Sequence, residues 1–159
     1  MRRILAALAV FAALIALSGC ESATDVTEYL SLPFSAEAKI TIDSSEYLVS
    51  VEKGGADLVS VRVRFPEALS GLTVSLGDGS RAEFRGETIT RGFPRSIAEL
   101  IYDAFNEANR TEVFSDGDAR IVRFASRRGV GSIRVDGFSA TPLSIESGDV
   151  YIEFEDYQR

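Results

Sequence analysis

The sequence predicts an α+β fold. A strongly curved antiparallel sheet of about 9–10 strands, an incomplete β-barrel, covers one main amphipathic α-helix. Three observations carry this. From Phe34 onward apolar and polar residues alternate with period two, the mark of strands wet on one face. Turn signals recur at short intervals, among them Asp43-Ser44-Ser45, Gly77-Asp78-Gly79, Asp116-Gly117, Asp136-Gly137 and Ser147-Gly148-Asp149. One segment alone, behind Pro94, changes to the helical period. An apolar helix stripe needs a sheet face to cover, and a twisted sheet curled round it is the economical arrangement.

The chain divides into residues 1–19, 20–33 and 34–159. The first part has a basic start at Arg2 and Arg3 and an unbroken apolar run from Ile4 to Leu17. That is the pattern of a secretory signal peptide, too short for a comfortable membrane span of about 20 residues. Its end, Leu17-Ser18-Gly19-Cys20, resembles the lipobox of bacterial lipoproteins. The resemblance implies that a diacylglyceryl group is attached to the Cys20 thiol and that the signal is cut just before it. Cys20 then becomes the first mature residue and the membrane anchor, in an extracytoplasmic location. Two acyl chains hold a protein on a bilayer stably, where one does not. Residues 21 to 33 read as a polar tether ending in Pro33, with Tyr29 and Leu30 at the start or edge of the domain.

Composition narrows the function. Seventeen basic and 24 acidic residues give a net charge of −7; without Arg2 and Arg3 it is −9. This argues against nucleic acid and against a polybasic grip on anionic lipid. Cys20 is the only cysteine, so the mature chain has no internal disulfide and its stability rests on its core. The roughly 140 mature residues suffice for one domain, expected to be monomeric.

Phe34, Ala36, Ala38, Ile40 and Ile42 form the apolar side of a first strand. Tyr47, Val49 and Val51 do so in a second, and Val59, Val61, Val63 and Phe65 in a third. Lys53 to Asp57 reads as the turn between them. Pro66 ends the third strand because it lacks an N–H for the ladder. Glu67 to Gly71 turns the chain, Leu72, Val74 and Leu76 resume the alternation, and Ala82 with Phe84 and a short piece at Thr88-Ile89-Thr90 follow.

Proline suits a first helical turn, where its missing N–H is not needed. Behind Pro94, the residues Ile97, Leu100, Ile101, Ala104, Phe105 and Ala108 form one stripe. They predict a helix of about fifteen residues stopping near Asn109. Val113 and Phe114 then lead into the Asp116-Gly117 turn. Four strands follow, over Ala119 to Ala125, Val130 to Val135, Leu143 with Ile145, and Val150 to Phe154.

This order of elements resembles the carrier fold of LolA, LolB and the mycobacterial LppX-type proteins. It is also similar to small clostridial-type lipoproteins. The matching pieces are the lipobox, Phe65-Pro66-Glu67-Ala68-Leu69-Ser70-Gly71-Leu72, Phe93-Pro94, and Ala140-Thr141-Pro142-Leu143-Ser144-Ile145 with Ile152-Glu153-Phe154. The resemblance implies a LolA-like domain over residues 34–159 and an apolar ligand between sheet and helix.

The sequence contains no His. Imidazole bases, Ser-His-Asp triads and most zinc sites are therefore excluded, and no enzyme, metal or cofactor is expected. Asp116-Gly117-Asp118 and Gly77-Asp78-Gly79 lack the ligand spacing of a calcium loop and read as hairpin turns. Arg127-Arg128 reads as a solvated turn. The candidate apolar face is Ile97, Leu100, Ile101, Ala104 and Phe105 of the helix with Val61, Val63, Phe84, Phe124 and Phe154 of the strands. Two functions stay open. One is a membrane-anchored lipoprotein that binds or carries an acyl chain on that face. The other is an anchored interaction or structural domain with a filled core, acting on an envelope protein or the cell wall.

Overall fold

The structure, a computed structural model, describes Leu30 and residues 32–55, 58–77, 81–84, 87–88 and 93–159. Cys20 and the signal-like segment lie outside the described residues. Eleven strands form one antiparallel sheet: β1 (Phe34–Ile42), β2 (Ser45–Gly54), β3 (Leu58–Phe65), β4 (Thr73–Leu76), β5 (Arg81–Phe84), β6 (Glu87–Thr88), β7 (Arg110–Asp116), β8 (Ala119–Ser126), β9 (Gly129–Asp136), β10 (Pro142–Ser147) and β11 (Val150–Gln158). Helix α1 (Phe93–Phe105) stands between β6 and β7, and a 3-10 turn (Glu107–Asn109) follows it. The order across the sheet is β6-β5-β4-β3-β2-β1-β11-β10-β9-β8-β7.

That order makes α1 the connection between the two outermost strands. The helix touches β3 and β4 in one half of the sheet and β8, β9 and β10 in the other. In a flat sheet β4 and β8, seven strand spacings apart, would lie about 34 Å from each other. A helix about 10–12 Å wide and about 20 Å long reaches both only if the sheet curls around it. Among the described residues β6 and β7 do not pair, so the sheet is open rather than a closed barrel.

The alternation places one continuous core inside the curl. It includes Ile40, Val49, Val51, Val61, Val63, Val74, Val122, Phe124, Ile133, Ile145 and Ile152 from the strands, with Ile97, Leu100, Ile101, Ala104 and Phe105 from α1. Leu30 is buried in the same core, so packing begins four residues before β1. At one end Phe34, Phe105, Phe154 and Tyr157 form an aromatic cluster, with Phe34 4.8 Å from Phe105 and 5.0 Å from Tyr157 between ring centres. Edge-to-face pairs of Phe154 with both phenylalanines complete it, a favoured arrangement of ring quadrupoles.

Several sequence expectations are corrected. The sheet has one strand more than the upper estimate, because β7 is a full strand rather than a lead into a turn. Its residues are almost all exposed, so it carries no clean alternation to read. The helix has 13 residues and stops at Phe105. Asn106 leaves the helix with an extended backbone and caps the 3-10 turn by accepting the Ala108 N–H on its side chain, and Ala108 is exposed in that turn rather than on the stripe. Phe65 is exposed, not inward like Val59, Val61 and Val63. A bulge pairs Leu48 with Phe65 but Val49 with Val63. One extra residue inverts the side-chain faces beyond it. A second bulge, between Pro142 and Ser144, likewise separates Leu143, which is exposed, from Ile145, which is buried. Lys53 belongs to β2 rather than to the turn, and it is buried in phase with Val49 and Val51.

Candidate functional site

The apolar face expected from the sequence is assembled by the curl. Val61 and Val63 come from β3, Phe124 from β8, Phe154 from β11, and Ile97, Leu100, Ile101, Ala104 and Phe105 from α1. All but Phe154 retain 2% or less of their accessible surface, and Phe154 retains 9%. The side chain of Phe84 lies outside the described residues. A void wide enough for a single water would leave accessible area on its walls. The described walls leave almost none, so among the described residues this face is packed by side chains with no water-sized void against it.

Cross-strand packing shows how tightly. Phe124 on β8 lies directly opposite Gly131 on β9. A Cβ added to Gly131 would stand 2.5 Å from Cζ of that ring and 2.9 Å from each Cε. The glycine is a seat for the aromatic ring, and the sequence alone does not show it.

The outward side of α1 is polar and tied to the β8–β9 turn. Arg95 and Arg127 both donate to Oε1 of Glu99, at 3.1 and 3.2 Å. Asp103 accepts from the side-chain amide of Asn109 at 3.1 Å. Desolvation raises the Asp103 pKa above the usual carboxylate value, with the charge of Glu99 adding to it, against lowering by the backbone N–H and charge of Arg127 and by Asn109. Arg128 pairs with Asp149 at 2.8 Å. Arg127-Arg128 forms an exposed turn, as expected, and its two side chains make these surface ion pairs. Among the described residues, no three His, Cys, Asp or Glu gather as a metal site, and no helix is long and apolar enough to cross a membrane.

A groove of about 420 Å³ lies where the chain enters the domain, lined in part by Pro33, Glu52, Lys53, Leu58 and Arg159. Lys53 is buried in its wall, and its Nζ donates to the carbonyl of Gly55 at 2.8 Å and to that of Leu32 at 3.5 Å. The ammonium thereby ties the entering chain to the β2–β3 turn. The signal in the sequence was its period-two phase with Val49 and Val51.

No family model and no curated protein sequence matches the chain. Among solved structures, the fold is similar to an uncharacterized conserved protein from Thermus thermophilus. That match has a TM-score of 0.56 and 13% identity and covers 87% of this chain and 86% of the other. It is also similar to a LolA superfamily protein from Nitrosomonas europaea, with a TM-score of 0.50 and 11% identity, covering 86% of this chain and 92% of the other. The chain thus has a LolA-like fold, and likeness at these identities speaks for the fold alone.

Proposed function

We propose that the protein is an extracytoplasmic lipoprotein, anchored through Cys20, whose LolA-like domain has a permanently filled interior and acts through its outer surface on an envelope protein or the cell wall. The observation that carries this reading is the closure of the apolar face. Opening it would uncover Ile97, Leu100, Ile101 and Phe105, each now almost without accessible surface. Exposing four such side chains costs about 6–12 kcal/mol. A sixteen-carbon acyl chain moved from water into their place gains about 12 kcal/mol, at about 0.8 kcal/mol per methylene. The exchange thus yields between nothing and about 6 kcal/mol, from which the lost freedom of the bound chain must still be subtracted. For a chain taken from a bilayer, where it is already out of water, the apolar gain vanishes and the cost of uncovering the helix remains.

A second reading, the acyl-chain carrier, is favoured by one observation. The sheet is open and α1, joining its two outermost strands, touches both halves, so a shift of this one helix would make room. In that case the helix stripe must stay buried elsewhere while the ligand is held. Native mass spectrometry of residues 21–159 purified from cells, with a hydrophobic dye titration, separates the two. The filled-interior reading expects the bare polypeptide mass and no dye response. Co-purified lipid, or dye binding displaced by long-chain fatty acids, would establish the carrier instead.

A further inference from the structure

We propose that the end of the domain at which the chain enters is a membrane-docking surface, with Phe138 and Leu58 as the side chains that enter the interface and the lipid bilayer as the occupant. The proposal rests on the Cys20 anchor. Phe138 is 86% exposed, the most exposed large apolar side chain among the described residues. It is held out by a closely bonded turn between β9 and β10. Oδ1 of Asp136 accepts from the N–H of Phe138 at 3.0 Å and from the N–H and hydroxyl of Ser139 at 2.7 and 2.9 Å. The Ala140 N–H closes onto the Asp136 carbonyl, and the Gly137 N–H donates to the carbonyl of Asp118 in the β7–β8 turn. These bonds fix an aromatic side chain in water, where a polar residue would serve the turn equally well.

The position of this turn points to the bilayer. Arg159, at the end of the chain, donates to the carbonyls of Ser139 and Ala140 at 3.4 and 3.2 Å. Arg159 also lines the entry groove together with Pro33 and the half-exposed Leu58. Phe138, Leu58 and the entering chain at Leu32 and Pro33 therefore share one end of the molecule, and Leu32 is itself exposed. Cys20 lies only ten positions before the buried Leu30, a span of at most about 36 Å. An anchored Cys20 keeps this end near the headgroups at high effective concentration, so a weak insertion of two or three side chains is enough to orient the domain. Aromatic side chains favour this interface. The net negative charge requires that the contact be apolar rather than electrostatic.

The sequence has no tryptophan, so a single introduced one reports its own site. The full chain would be produced in a lipidating bacterial host and reconstituted in phosphatidylcholine vesicles, as the variants Phe138→Trp, Leu58→Trp and Val130→Trp. Val130 is 70% exposed but lies six residues, about 20 Å, along β9 from Asp136. The expected result is a blue-shifted emission from Phe138→Trp and Leu58→Trp, quenched several-fold by lipids brominated in the acyl chain. Val130→Trp should keep the emission and acrylamide quenching of a water-exposed indole. Docking is overturned if all three float with the vesicles and Phe138→Trp is no better quenched than Val130→Trp. A chain that does not float overturns the anchor, and the docking surface with it.

Discussion

Gly131→Ala tests how completely the interior is filled. The added Cβ falls 2.5 Å from Cζ of Phe124 and 2.9 Å from both Cε atoms, whereas carbon atoms prefer separations of about 3.5–4.0 Å. The ring must retreat by about 1 Å. Phe124 has no accessible surface, so it can retreat only by displacing its neighbours. Overpacking of this kind costs about 1–3 kcal/mol. Alanine in an extended strand recovers up to about 1 kcal/mol through the less free unfolded chain. The net expectation is a loss of about 1–2 kcal/mol, or a fall of about 3–8 °C in Tm for a domain of this size. Urea unfolding of residues 21–159, followed by circular dichroism and tyrosine fluorescence, measures it. Phe124→Leu alone removes part of the ring and is expected to cost about 1–3 kcal/mol. In the double variant the new methyl enters the space the ring has left. The two losses should therefore fall short of additivity by about 1 kcal/mol. If Gly131→Ala unfolds at the wild-type urea concentration, or if the two losses simply add, the interior has slack that the closed face denies.

Three further outcomes are expected. Leu100→Asp buries a charge on the inward face of α1 and should cost about 4 kcal/mol or more, while Glu146→Ala on the exposed side of β10 should change stability by less than about 0.5 kcal/mol; the same urea titration compares them. Asp103 has a raised folded pKa, so the native state holds its proton more strongly than the unfolded chain. Stability from this group then falls as pH rises from the ordinary carboxylate value through the folded one. Asp103→Asn should consequently gain in Tm relative to wild type at pH 7 and lose that gain at pH 3.5; a gain that is equal at both pH values would contradict the assignment. Cys20→Ala should abolish incorporation of a fatty-acid probe and leave the precursor uncut or the protein released, and continued labelling of the variant would refute the anchor.

The local order of this chain was legible because each strand segment repeats its apolar residues with the period of the element it forms. Ile40, Val51, Val61 and Ile152 face inward in the structure as their alternation requires. The stripe from Ile97 to Phe105 lies on one buried helix face for the same reason. A period, however, carries no information about insertions that interrupt it. The bulges that turn Phe65 and Leu143 outward come from how neighbouring strands register, which is a property of pairs of segments. Strand order is likewise a long-range matter. Nothing within β1 or β11 states that the first and last strands lie side by side at the centre of the sheet, or that α1 joins its two outermost strands. The apolar face was readable residue by residue, but whether it enclosed a space was not. Volume depends on how side chains from strands far apart in the chain interlock, as the Phe124 ring does over Gly131. The burial of Lys53 beside the entering chain and the outward Phe138 arise in the same way. Each position is decided by what the rest of the fold brings next to it, and only the tertiary structure supplies those neighbours.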